Sequence, residues 1–268
     1  MRLIGHVAVN VFKESVRDKV LYSLVAFATL LIAVSFLLGQ LTAGQDVKII
    51  KDLGLAAIAT FGLLIAVFIG VGLVWKEVER RSIYSVLSKP VRRYEFLLGK
   101  YAGLALTLFV NVAVMTAAFY AVLAYMNTQF PDVVRASWPA PATDPGMLRA
   151  IALIFVELLL VTAIALFFST FSSPFLSTAL TFGLWVIGHF NADLRNFEAV
   201  VESQTAAYFA RVLYYVLPNF AAFDIKMQVV HALPVPASYV ATTAVYGFVY
   251  IALLLAAAVV VFSRRDFK

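Results

Sequence analysis

The chain contains no cysteine, which excludes disulfides, thiolate metal ligands and cysteine nucleophiles. Charge is scarce too. Only 13% of the 268 residues are Asp, Glu, Lys or Arg, about half the share of a typical soluble domain. Histidine occurs at positions 6, 189 and 231 alone, with no His-Glu-x-x-His pair to hold a catalytic zinc. There is no Gly-x-Ser-x-Gly nucleophile elbow. Gly99-Lys100 has the form of the end of a phosphate loop. Tyr94 stands where its first glycine belongs, however, and Tyr101 where Ser or Thr belongs, so the chain cannot hydrolyse ATP through that motif. Gly70-Val71-Gly72 leads to Trp75 in place of a third glycine and reads as a packing feature. These absences argue against an enzyme and leave no cofactor site in this chain.

Apolar surface is what the chain has in excess. It is 63% hydrophobic with a mean hydropathy of +0.92, and in water such a chain would expose large apolar patches. Lipid removes that problem, so the chain reads as an all-α integral membrane protein, a single transmembrane domain over 1–268. Six apolar runs serve as spans, at about 20–41, 53–75, 101–125, 150–168, 174–190 and 240–262. The run at 174–190 is marginal: 17 residues give roughly 25 Å. With 150–168 it forms a hairpin through Ser169–Ser173 and Pro174. The first run, from Leu21 to Leu38 at its core, is too long for a secretory signal. Residues 2–18 form an amphipathic interfacial helix, with Leu3, Ile4, Val7, Ala8, Val11 and Phe12 on one face.

Basic residues set the orientation. With a cytoplasmic N-terminus, 14 of the 21 Lys and Arg residues fall in the inside segments, so both termini are expected in the cytoplasm. Lying beside apolar runs, these residues meet anionic headgroups and not nucleic acid. Two outer loops remain. Residues 126–149 are proline-rich and irregular. In 191–239, a helix is expected from Phe197 to Val216, and Phe223 to Leu233 is apolar enough to dip into the interface.

Few polar residues interrupt the spans. Glu157 sits mid-span, where a carboxyl is costly and is either functional or bonded to a neighbouring helix. His189, at a span end, reads as structural. Gly99 and Gly103 make a Gly-x-x-x-Gly pair that permits close helix contact.

The segment Lys76–Lys100, KEVERRSIYSVLSKPVRRYEFLLGK, is too polar to span and too apolar for a bare linker. Lys76–Ser88 suits a short helix, with Glu77 and Arg81 at i, i+4. Pro90 disfavours helix at Lys89, and Arg92–Lys100 then runs into the third span. The result is a cytoplasmic coupling elbow lying along the membrane.

That loop resembles the one between spans two and three of ABC-2 type transporter permeases, through Glu77, Ser82, Leu87, Pro90, Arg93, Gly99 and Lys100. Arg81 departs from the family, where Gly is common. The Ser169–Pro174 turn, Leu217-Pro218-Asn219 and the ending Phe262-Ser263-Arg264-Arg265-Asp266-Phe267 are similar too, so the resemblance covers nearly the whole chain in order. It implies the permease subunit of an ATP-driven exporter in a bacterial inner membrane, docked to a separate cytoplasmic ATPase that supplies ATP and Mg. The docking residues would be Glu77, Glu79, Arg80, Arg81, Ser82, Leu87, Pro90 and Arg93. It also implies a dimer with a second copy or a homologue, and allows a further periplasmic or membrane subunit. The dimer seam is expected along 20–41, 174–190 and 197–220, with Ser177, Thr181, Gly183, Trp185 and Tyr208 suited to it. The alternatives are an ABC-type subunit that relays motion to an outer partner without transport, and a secondary transporter. The latter would need more intramembrane charge than Glu157 supplies.

The topology has a direct check. A reporter fused after Lys268 is expected to be active only in the cytoplasm, and labelling of that tail from outside the cell would overturn the orientation.

Overall fold

The computed structural model describes residues 2–40, 46–79, 92–190 and 204–264. Every regular element among them is helical: α1 (Arg2–Val16), α2 (Lys19–Gln40), α3 (Asp46–Glu79), α4 (Arg93–Gln129), α5 (Asp132–Arg135), α6 (Gly146–Ser169), α7 (Pro174–His189), α8 (Gln204–Val216), a 3-10 turn (Phe220–Phe223), α9 (Lys226–Val230) and α10 (Ala237–Arg264). An all-helical architecture is what hydrocarbon demands, because each backbone amide must be bonded within its own segment.

Five of these helices, α2, α3, α4, α6 and α10, are long and apolar enough to cross a membrane. The six apolar runs of the sequence all fall in helices, and α7 is the short one, as its marginal run of 17 residues implies. Its 16 residues reach roughly 24 Å, short of the ~30 Å hydrocarbon core. Other boundaries also shift. α3 begins at Asp46 and runs unbroken to Glu79, so Lys76–Glu79 prolong the second span instead of opening a separate coupling helix. Nothing in Trp75–Glu79 breaks a helix. The rest of the expected elbow, residues 80–91, lies outside the described residues. Arg93 already begins α4.

α6 is the central helix, buried from Met147 to Ser169 on nearly all sides and packed by α3, α4, α7 and α10. Glycines on α3 make this possible. A Cβ at Gly62 would lie 2.4 Å from Leu158, and one at Gly70 would lie 2.9 Å from the Ala165 methyl. Gly54 leaves the same kind of room for Phe119 of α4. Without a hydrophobic driving force between helices in lipid, such close approach is what supplies packing energy.

α1 packs along α4. Gly99 faces Val7 and the Ile4 carbonyl, and Gly103 faces Val11 and the Ala8 carbonyl. Both contacts advance by four residues, so the two helices run in the same direction over this stretch. His6, Asn10, Lys13, Glu14 and Arg17 stay on the exposed side.

The expected dimer seam needs one correction. Ser177 and Thr181 are fully buried within the chain, through the Ser172–Ser177 hydroxyl contact at 2.6 Å and a Thr181 bond to the Ser177 carbonyl. Trp185 is likewise turned inward. The exposed face of α7 carries Phe175, Leu176, Leu180, Val186 and Ile187 instead.

At Gly103 an added methyl group meets backbone, 2.6 Å from the Ala8 oxygen, whereas at Gly183 nothing lies within 4 Å. Gly103→Ala is therefore expected to destabilise the purified protein by about 1–3 kcal/mol, and Gly183→Ala to be neutral or slightly stabilising. Equal thermal melts for the two variants would refute the close α1–α4 contact.

Candidate functional site

Glu157 lies on α6, roughly 16 Å from the start of the helix and 18 Å from its end at 1.5 Å per residue. It is 7% exposed and faces protein. α7 returns antiparallel beside it. Trp185 and His189, one helical turn apart, share the face that meets α6. The indole Nε1–H of Trp185 donates to Glu157 Oε1 at 2.8 Å, and His189 Nε2 stands 3.7 Å from the same oxygen.

The protonation logic follows from the other imidazole nitrogen. His189 Nδ1 is 3.0 Å from the Trp185 carbonyl, and a carbonyl only accepts, so Nδ1 carries a hydrogen. Glu157 Oε1 thus faces the indole N–H at hydrogen-bond distance and the remaining imidazole nitrogen further off, and the indole bond lowers the cost of burying the carboxyl.

The imidazole is held between two rings, with the Trp185 centroid at 4.4 Å and Phe220 stacked at 5.7 Å and 10°. Phe220 belongs to the 3-10 turn that folds back over the end of α7. Two glycines make room for this turn. A Cβ at Gly188 would lie 2.4 Å from Phe220 and 2.6 Å from the Pro218 carbonyl, and one at Gly247 of α10 would lie 2.7 Å from Val156 and 3.1 Å from Phe223. Phe220, Phe223, Ile225, Val229 and Val230 are buried, so the segment expected to dip into the interface packs into the bundle, with α9 against α3 and α6. Asp224 and Lys226 pair at 3.2 Å and act electrostatically on Glu157.

A second cluster joins the other ends of the helices. Arg93 Nη1 donates to the carbonyls of Phe262 (3.2 Å) and Ser263 (2.8 Å), in the last described turn of α10. Phe96 stacks on Phe262 at 6.2 Å, and the buried Lys100 ammonium sits 4.8 Å from the Phe96 centroid. Glu77 and Glu79 are in the last turn of α3. Arg80, Arg81, Ser82, Leu87 and Pro90 lie outside the described residues.

Sequence reasoning singled out Glu157 and missed its partners. The signal was available: aromatic and imidazole donors at i, i+4 on the next helix are the natural complement of a lone mid-span acid. Lys51 was missed as well. It is buried on α3, and its ammonium donates to the Pro141 carbonyl at 2.9 Å, anchoring the 126–149 loop.

A family model described as ABC-2 family transporter protein matches residues 6–267. A comparison with the curated proteins gives no match.

Glutamine at position 157 keeps an oxygen for the indole N–H, whereas leucine strands that donor. Glu157→Gln is expected to melt near the parent. Glu157→Leu should lose about 1–2 kcal/mol, the upper range for an interhelical bond in a membrane. A leucine variant as stable and as active as the glutamine variant would remove the polar role.

Proposed function

The chain belongs to the ABC-2 transporter family, and from that premise we propose that it is the permease subunit of an ATP-driven exporter in a bacterial inner membrane. ATP hydrolysis takes place on a separate cytoplasmic subunit. The observation that carries this reading is the family match across 6–267, on a chain whose described part is a bundle of apolar helices.

In the proposed orientation both termini are cytoplasmic, and the Arg93 cluster lies on the cytoplasmic side. The ATPase docks on the loop between α3 and α4, with Glu77, Glu79, Arg80, Arg81, Ser82, Leu87 and Pro90 contributing to the contact. The apolar side chains supply most of the binding energy, and the charges tune recognition. Arg93 works one step inward. It fastens the foot of α4 to the end of α10, while Gly99 and Gly103 fasten α4 to α1. A push on the loop therefore moves three helix ends together, which suits rigid-body rocking of one subunit against a second copy or a homologue. The exposed apolar face of α7, with Gly183, is the proposed part of the dimer seam on that helix. Transport is favoured over relay to an outer partner because Phe220–Val230 is packed into the bundle, which leaves less of the outer loop to bind such a partner.

Co-purification tests the assignment. The parent chain is expected to bring down an ATPase subunit. Combined charge reversal at Glu77 and Arg80 should abolish that association while membrane insertion persists. Arg93→Ala should retain docking and lower substrate-stimulated ATPase activity several-fold. Normal association and activity in the reversal mutant would remove the loop from the docking surface.

A further inference from the structure

Between the last turn of α8 and the first half of α10 lies a cavity of about 450 Å³, within the range of small-molecule sites. Its wall includes Tyr214, Tyr215, Asn219, Thr242, Tyr246 and Tyr250, and no charged side chain among the described residues. The tyrosines present surfaces in several directions: Tyr246 and Tyr250 are 4.9 Å apart at 56°, and Tyr214 and Tyr215 are 5.1 Å apart at 78°. The Tyr246 hydroxyl accepts the backbone N–H of Asn219 at 2.9 Å, tying that residue to α10. Thr242 donates to the Ser238 and Tyr239 carbonyls, so its oxygen is left to accept.

The ligand that complements this wall has apolar C–H faces for the rings, O–H donors for the oxygens, and no charge. The geometry points to a binding site for a glycosyl group, an uncharged hydroxyl-bearing ring, in the tyrosine cavity between α8 and α10. A quaternary ammonium suits tyrosine faces, but it brings no donor to the Thr242 oxygen. A phosphate or carboxylate meets no cation here. The sugar is either free or the headgroup of a glycolipid, since both present the same ring. Only the placement of the cavity on the outer side rests on the orientation proposed above.

The test uses the full chain in nanodiscs of phosphatidylethanolamine and phosphatidylglycerol, free of sugar-based detergent. Calorimetry is run with methyl glucoside, dioctanoyl glucosylglycerol, choline chloride and inorganic phosphate. Saturable binding of one or both glucosyl probes is expected, and binding of the lipid form alone assigns the site to a glycolipid. Thr242→Val and Tyr250→Leu should each weaken that binding about 10-fold, equivalent to roughly 1.4 kcal/mol. Tyr214→Leu gives a third reading should either of the others melt early. Binding of choline or phosphate without the glucosyl probes, binding of none of the four, or glucosyl binding indifferent to all three substitutions would overturn the assignment. The measurement needs no ATPase, so its failure leaves the permease reading intact, and a failed co-purification leaves this one intact.

Discussion

Helix α7 is too short to cross hydrocarbon unaided, and the structure around Glu157 is arranged around that constraint. A 16-residue helix reaches only roughly 24 Å, and a backbone group left unsatisfied inside hydrocarbon costs several kcal/mol. The His189 ring nitrogen and the Phe190 amide meet the Trp185 and Ile187 carbonyls, and the segment after Pro218 folds back over the helix end. Gly188 lets the Pro218 carbonyl and the Phe220 ring approach closely. The Glu157–Trp185 bond then sets the register of α7 on α6, so the end of the helix and its cover stay aligned.

The opposite side of the bundle is organised by a different economy. Here the exposed carbonyls at the end of α10 meet a guanidinium, which is always charged and forks to two acceptors. Arg93 is thereby both the first residue of α4 and the C-terminal partner of α10. Favourable charge at a helix C-terminus adds to the bond. The stacked Phe96–Phe262 pair and the Lys100 ammonium near Phe96 extend the same contact one turn deeper.

Helical class and the positions of the apolar runs were legible because length and hydropathy decide them. The ends of α3 and α4 were not, since Lys48, Lys51 and Asp52 at one end and Lys76–Glu79 at the other are polar yet helical. Polarity marks where lipid stops, whereas a helix stops only where backbone bonding fails. Glu157 announced itself by being a carboxyl in an apolar run. Trp185 did not, because an indole is ordinary in a span and only its neighbour across the helix pair makes it a donor. The close approach at Gly99 and Gly103 was legible as a spacing, but its partner, α1, was not, because the amphipathic pattern of α1 suits a lipid surface and a protein groove equally. For Ser177 and Thr181, small size suggested a sliding interface. The fold uses that size to seat α7 against its own chain.

The two ends are linked through α6 and α10. α10 is fastened to Arg93 at one end, and at Gly247 it accepts both Val156, the residue before Glu157, and Phe223 of the turn covering α7. A close-packed interior transmits displacement and does not absorb it. A tilt of α10 imposed at Phe262 is therefore felt at Phe223, and through Phe220 at the imidazole beside Glu157. The carboxyl need not contact a substrate to matter. Its bond to Trp185 ties α7 to α6, so a displacement of either helix is passed to the other.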